Sequence, residues 1–175
     1  MKKNKGFSLV ELIIVIAIMA ILAAAIAPAL IRYIDKSRRA DDVASAGVIN
    51  SSMSAALANE DIYDAVFEVS TGKAVLYAEG GAANWSLASI SDTTKAEALS
   101  KEMNSSCPPP SIKFKKTTKK ADTDAGADVK PEAWYVGVSE EGKPLVYIGA
   151  KGKAGDAVDA AGHAQLQPSI DKAYK

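Results

Sequence analysis

Gly6-Phe7-Ser8-Leu9-Val10-Glu11 leads directly into twenty apolar residues, Leu12 to Ile31, and this stretch decides the fold. A bilayer's hydrocarbon core is about 30 Å thick and needs roughly 20 apolar helical residues to cross it. The run is therefore long enough to span a membrane. One carboxylate, Glu11, stands at its head. An ionisable group inside such a segment is costly and marks a functional position whose partner must be found.

Outward from this stretch, Met1 to Gly6 holds Lys2, Lys3 and Lys5 and no acid. Positive charge beside an apolar span retains that side in the cytoplasm, so the chain beyond Ile31 is expected to face outward. A secretory signal would instead be cut after its apolar middle. Ala23-Ala24-Ala25 and Ala27-Pro28-Ala29 offer small residues for that rival cut. Pro28 argues against cleavage after Ala27, and cleavage after Ala25 stays open.

These residues resemble the class III leader of type IV pilins and of their relatives, the type II secretion pseudopilins. The resemblance runs from about Lys2 to the end of the helix near residue 58 and is most specific over residues 6–31. It implies cleavage by a prepilin peptidase between Gly6 and Phe7 and N-methylation of Phe7. It assigns the family's glutamate to Glu11 and its helix-disturbing proline to Pro28. It further implies that Glu11 of an incoming subunit pairs with the new Phe7 amine of a neighbour already in the filament. Two charges that are costly alone become tolerable as a pair, and the pairing fixes register. The bland alternative is a glutamate that reaches the headgroups and contacts nothing, which leaves Gly6-Phe7 without an explanation.

The resemblance also supplies partners: the peptidase, identical and minor pilins in a helical filament, an inner membrane assembly platform, and the membrane around the precursor. The localisation it implies is a single-pass membrane precursor that becomes an extracellular pilus. Adhesion, twitching or other surface motility, and biofilm formation are the roles it carries. The chain has no nucleotide motif of its own, and the resemblance implies a cytoplasmic ATPase as the energy source for leaving the bilayer.

The chain has 175 residues, enough for a long helix and one modest domain. Losing the three leader lysines from 21 basic side chains leaves 18 against 21 acidic ones, a mildly acidic product with no strong attraction to nucleic acid. The single cysteine, Cys107, forbids an internal disulfide, which looks more like Gram-positive pilins than like Gram-negative ones. It leaves open what fastens the C-terminal part. A buried, inert thiol is the expected state of Cys107.

Beyond the apolar run, Val43, Ala46, Ile49, Met53 and Ala56 or Leu57 recur at three- and four-residue steps, one face of an amphipathic helix. A charged collar from Arg32 to Asp42 separates the two parts. One helix from about Phe7 to Ala58 would be ~78 Å long. Pro28 is expected to weaken or kink it. The remainder reads as short elements. Ala65 to Ser70 and Lys73 to Glu79 are strand candidates, and Thr93 to Met103 a helix with Asp92 as its cap. Ala133 to Ser139 and Pro144 to Ala150 form a hairpin. Residues 117–131 and 150–167 read as loops. An antiparallel sheet across the second half of the helix would bury Trp134, Val136, Val138, Val146 and Ile148, or their alternates.

The expected architecture is thus α+β, the type IV pilin fold. Its parts are a leader (1–6), a transmembrane and filament-core helix (7–31), an amphipathic continuation (32–59) and a globular head (60–175).

Other signals read blandly. The lysines around Phe114 suit a solvated edge better than a nucleic-acid surface. Asp122 to Asp128 is a poor calcium loop, lacking oxygen ligands at Gly126 and Ala133. Gly152-Lys153 lacks the Ser or Thr of a phosphate loop. His163 has no evident catalytic or metal partners. The reading that results is a major pilin of Gram-positive type, with no enzymatic activity, metal or cofactor. The alternatives are a pseudopilin of a secretion or DNA-uptake machine, and an enzyme or binding module on a membrane anchor.

Overall fold

A computed structural model describes residues 7–70, 73–88, 93–152 and 162–175. It divides into two compact units, Met1–Ser37 and Arg38–Lys175. Helix α1, Leu9–Ala56, begins in the first and ends in the second. It is assigned helical through Pro28, so the proline does not interrupt it, and it ends two residues before the expected Ala58.

In the second unit α1 buries the face that the periodicity marks. Ala46, Ile49 and Met53 are fully buried, Ala56 nearly so, and Val43 and Leu57 pack at the margin. The same face carries Asp42, four residues before Ala46 and fully buried.

Helix α2 is Glu60–Ser70. This corrects the strand expected over Ala65 to Ser70. Asn59 Oδ1 accepts the Asp61 N–H at 3.0 Å, and Glu60 and Asp61 occupy the first turn, where acids favour a helix start. Ile62 and Val66, four residues apart, enter the core, and the Tyr63 and Phe67 rings stack at 5.5 Å. A short apolar run fits either element, and here burial at helical spacing wins. Helix α3, Thr93–Ser106, buries Leu99 and Met103 in the same way. Its expected cap, Asp92, lies outside the described residues. Past α3, the Trp85 indole donates to the Cys107 carbonyl at 2.6 Å, and Asn104 Oδ1 accepts the Trp85 backbone N–H at 2.6 Å.

Five antiparallel strands complete the head: β1 Ala74–Glu79, β2 Ser86–Leu87, β3 Ala133–Val138, β4 Pro144–Gly149 and β5 Ala164–Gln167. Their order is β2-β1-β3-β4-β5. The architecture is α+β with a long N-terminal helix and an antiparallel sheet, consistent with the type IV pilin fold. In the β3–β4 hairpin Trp134 faces Ile148 and Val136 faces Val146. These four and Val138 are fully buried and form one apolar cluster with the inner face of α1. The opposite sheet face carries Tyr135, Tyr147, Ala74 and Ala133 in a second cluster. Strand β5 lies in a stretch expected to be loop. Its pairing with β4, across a register shift between Val146 and Tyr147, creates it.

No disulfide fastens the C-terminal end, and two noncovalent devices do. Asp171 accepts the Asp124 N–H at 3.2 and 3.1 Å and the Ala173 N–H at 2.8 Å. In return Asp124 accepts the Lys172 N–H at 2.9 Å. Beyond this clasp Tyr174 is buried edge-on against Phe114 at 5.9 Å, and the Arg39 guanidinium lies 4.5 Å from the Phe114 centroid. Aromatic and cation–π contacts thus tie the penultimate residue to α1.

Candidate leader and assembly site

The N-terminal site is built on the first turn of α1. Its first turn leaves backbone N–H groups without intrahelical acceptors, and an acid three residues past the cap reaches back to one of them. Glu11 does this. Its Oε2 accepts the Ser8 N–H at 2.9 Å, while the Ser8 carbonyl accepts the Leu12 N–H at 3.2 Å. Glu11 is itself exposed. In the uncut chain the carboxylate therefore serves its own helix.

Phe7, the residue expected to become the new N-terminus, is 82% exposed. Gly6 lies outside the described residues. From Phe7 to Ile34 the large apolar side chains all stand exposed, Leu9, Ile13, Ile16, Ile21 and Ile26 among them. Among the described residues none buries the apolar window of α1, and by length and composition the helix can cross a membrane. A family model described as the prokaryotic N-terminal methylation motif matches residues 1–27. The chain carries a class III prepilin-like leader. No curated protein and no solved structure matches it.

The leader accounts for the charge and apolar pattern together. It supports a type IV pilin-like or pseudopilin-like precursor, and it implies processing by a prepilin peptidase and assembly with other pilins. With the exposed apolar helix it suggests a membrane-anchored form. Pro28 lies inside α1, just past the matched segment.

The remaining candidate residues serve the head. Cys107 is a free, buried thiol. His163 is 2% exposed, with its ring stacked 4.0 Å from that of Tyr135. Gly149 lies against this ring so closely that a Cβ there would collide with it. In the would-be calcium loop, Asp128 accepts the Lys120 N–H at 2.7 Å and the Lys119 ammonium at 3.2 Å, which hold its carboxyl below the usual range. A depression of about 320 Å³ is lined by Asp124, Tyr147, His163, Gln165 and Asp171, and both its aspartates accept backbone N–H groups. Lys153, from the would-be phosphate loop, lies outside the described residues.

Asp42 is the charged residue whose role sequence reasoning missed. Its Oδ1 accepts the Lys113 N–H at 2.7 Å and its Oδ2 the Phe114 N–H at 3.0 Å. Burial raises its pKa, partly offset by these two donors; Asp41 raises it further and the Lys113 charge lowers it. Burial likewise raises the pKa of the Tyr174 phenol, helped by Asp42 and opposed by Arg39. The signal for Asp42 was present in its spacing, since it sits four residues before Ala46 on the apolar stripe.

Proposed function

We propose that this chain is a structural subunit of an extracellular type IV pilus, a major pilin of Gram-positive type. Prepilin peptidase cuts between Gly6 and Phe7, Phe7 is N-methylated, and the precursor waits in the membrane. An assembly platform then passes it into a helical filament of identical subunits and minor pilins. Adhesion, surface motility and biofilm formation are the roles such a filament would serve.

The observation that carries this reading is the match of residues 1–27 on a helix whose large apolar side chains stay exposed from Phe7 to Ile34. Exposing a large apolar side chain to water costs about 1.5–3 kcal/mol, so the segment as a whole resists water by tens of kcal/mol. Its partners are therefore lipid before assembly and like helices afterwards. A head-to-tail contact repeated by a helical operator gives an open filament. Glu11 changes partner along this route. Before cleavage it caps its own helix, and after cleavage the Phe7 amine of a neighbouring subunit becomes its counter-charge.

Glu11→Gln tests this assignment. Glutamine can still accept the Ser8 N–H through its amide oxygen, so the helix start survives while the charge is gone. The expected outcome is normal leader cleavage with filament yield lost. Wild-type yield in Glu11→Gln would remove the docking role of Glu11. Electron microscopy of material sheared from the cell surface separates long pili from the short fibres of a pseudopilin, which would carry the same leader.

A further inference from the structure

The head is electrically polar along α1. At the Arg38 end, Arg38, Lys113 and Lys115 line a shallow groove with Asp41, Ser111 and Ile112, three cations against one carboxylate. Lys113 and Lys115 project there because Asp42 binds the Lys113 and Phe114 N–H groups, which turns Ile112 and Phe114 inward and the lysines out. The carboxylates next along, Glu132 and Glu79, are already paired with Lys130 at 2.6 Å and Lys151 at 2.8 Å. Neither of these two pairs draws on Arg38, Lys113 or Lys115.

The Ala56 end is the reverse. Glu60, Asp61 and Asp64 are exposed on the first turns of α2. The β3–β4 turn meets α2 there, with Gly142 packed so tightly under the Tyr63 ring that a Cβ would collide with the phenol. This brings Glu140 and Glu141 to the same end, with Lys143, 3.6 Å from Glu141, and Lys73, which precedes the Ala74–Gly137 pair, as the opposing charges. From Arg38 to Ala56 the helix rises about 27 Å.

We propose that the basic groove receives the acidic α2 end of a second copy of this chain, giving a head-to-tail contact between neighbouring heads. The inference rests on the filament reading above and adds the surface that sets how heads meet. Complementary charge at opposite ends of one domain suits a heterologous contact, which builds an open filament when its rotation does not close. It also steers association and rejects like-charged approaches. An anionic lipid surface would satisfy the groove but would give the acidic end no role.

Charge reversal in the full-length chain, expressed in its own cells, tests the contact. Lys113→Glu with Lys115→Glu should lower sheared-filament yield at least tenfold, and Glu60→Lys with Asp61→Lys should do the same. Combining the four changes should bring yield back to within about threefold of wild type. A benzophenone attached to Lys113→Cys, in a Cys107→Ala background, should cross-link to residues 60–64 of another copy. Single-end reversals that leave yield unchanged, a four-fold combination that fails to recover, or cross-links to phospholipid or to another surface would each overturn the contact. Filaments without the cross-link sink this contact alone. The cross-link without wild-type filaments sinks the filament reading alone. Loss of both the filaments and the cross-link sinks both.

Discussion

Asp42→Ala probes the join between α1 and the segment carrying Phe114. The substitution removes the acceptor for two N–H groups, those of Lys113 and Phe114. Leaving a buried donor without an acceptor costs about 1–3 kcal/mol. Release of the burial penalty on the carboxylate, visible in its raised pKa, returns part of that. A net loss of about 2–3 kcal/mol is expected, lowering Tm by roughly 6–12 °C for a domain of this size. Thermal denaturation of the full-length protein in detergent micelles, followed by near-ultraviolet circular dichroism, measures it. Asp42→Asn keeps one carbonyl acceptor and should lose only about 1 kcal/mol at neutral pH. The pH dependence has a definite sign. The folded pKa lies above the ordinary 3.8, so the folded state binds the proton more tightly than the unfolded chain. The resulting stability is complete below about pH 3.8 and is lost as pH rises through the folded value. The margin of wild type over Asp42→Asn should therefore narrow from pH 4 toward pH 7. A margin that widens with pH, or an Asp42→Ala loss below about 0.5 kcal/mol, would refute the reasoning.

Three further substitutions test the head. The Tyr174 hydroxyl is buried with no hydrogen-bond partner among the described residues, so Tyr174→Phe should leave Tm unchanged or raise it slightly, whereas Tyr174→Ala should cost about 3–5 kcal/mol; a clear drop in Tm for the phenylalanine variant would show that the hydroxyl is satisfied. Asp171→Ala should cost about 2 kcal/mol and speed amide exchange at Asp124 and Ala173, and a double-mutant cycle with Asp124→Ala should give a coupling of at least about 0.5 kcal/mol; strict additivity would dissolve the clasp into independent turns. Gly149→Ala drives a methyl into the His163 ring and should cost about 1–3 kcal/mol by urea titration, while a neutral result would mean that the ring moves aside freely.

What was legible in the chain followed from local periodicity. The apolar stripe of α1 names one buried face, and its residues other than Val43 and Leu57 are buried as expected; in the hairpin Trp134, Val136, Val138, Val146 and Ile148 are buried, and so are their alternates Ala133, Tyr135 and Tyr147. The β3–β4 hairpin was readable because alternating strands flank a charged turn ending in Gly142, whose φ of +76 suits glycine. Where periodicity is short the reading failed. Ala65 to Ser70 has strand-like composition, and only the Asn59 cap and the burial of Ile62 with Val66 show it to be helix. Ala164–Gln167 becomes a strand through its partner rather than through its own pattern. The charged anchors were least visible. Asp42 meets Lys113 across 71 residues and Asp124 meets Asp171 across 47, and neither pairing leaves a local signature. They answer what fastens a head without a disulfide: three aspartates bound to backbone N–H groups and an aromatic plug at Tyr174.

At the N-terminal site the residue types were legible and the chemistry was only half so. Glu11 reads as an embedded charge needing a partner, and the uncut chain supplies one in Ser8, a neutral donor three residues away. The proposed charged partner does not exist until a bond is cut, so no description of the intact chain contains it. N-terminal sequencing by mass spectrometry of the protein recovered from the cell surface tests this most directly. The account predicts a single start at Phe7 carrying one N-methyl group. A start after Ala25, or an intact Met1, would contradict it.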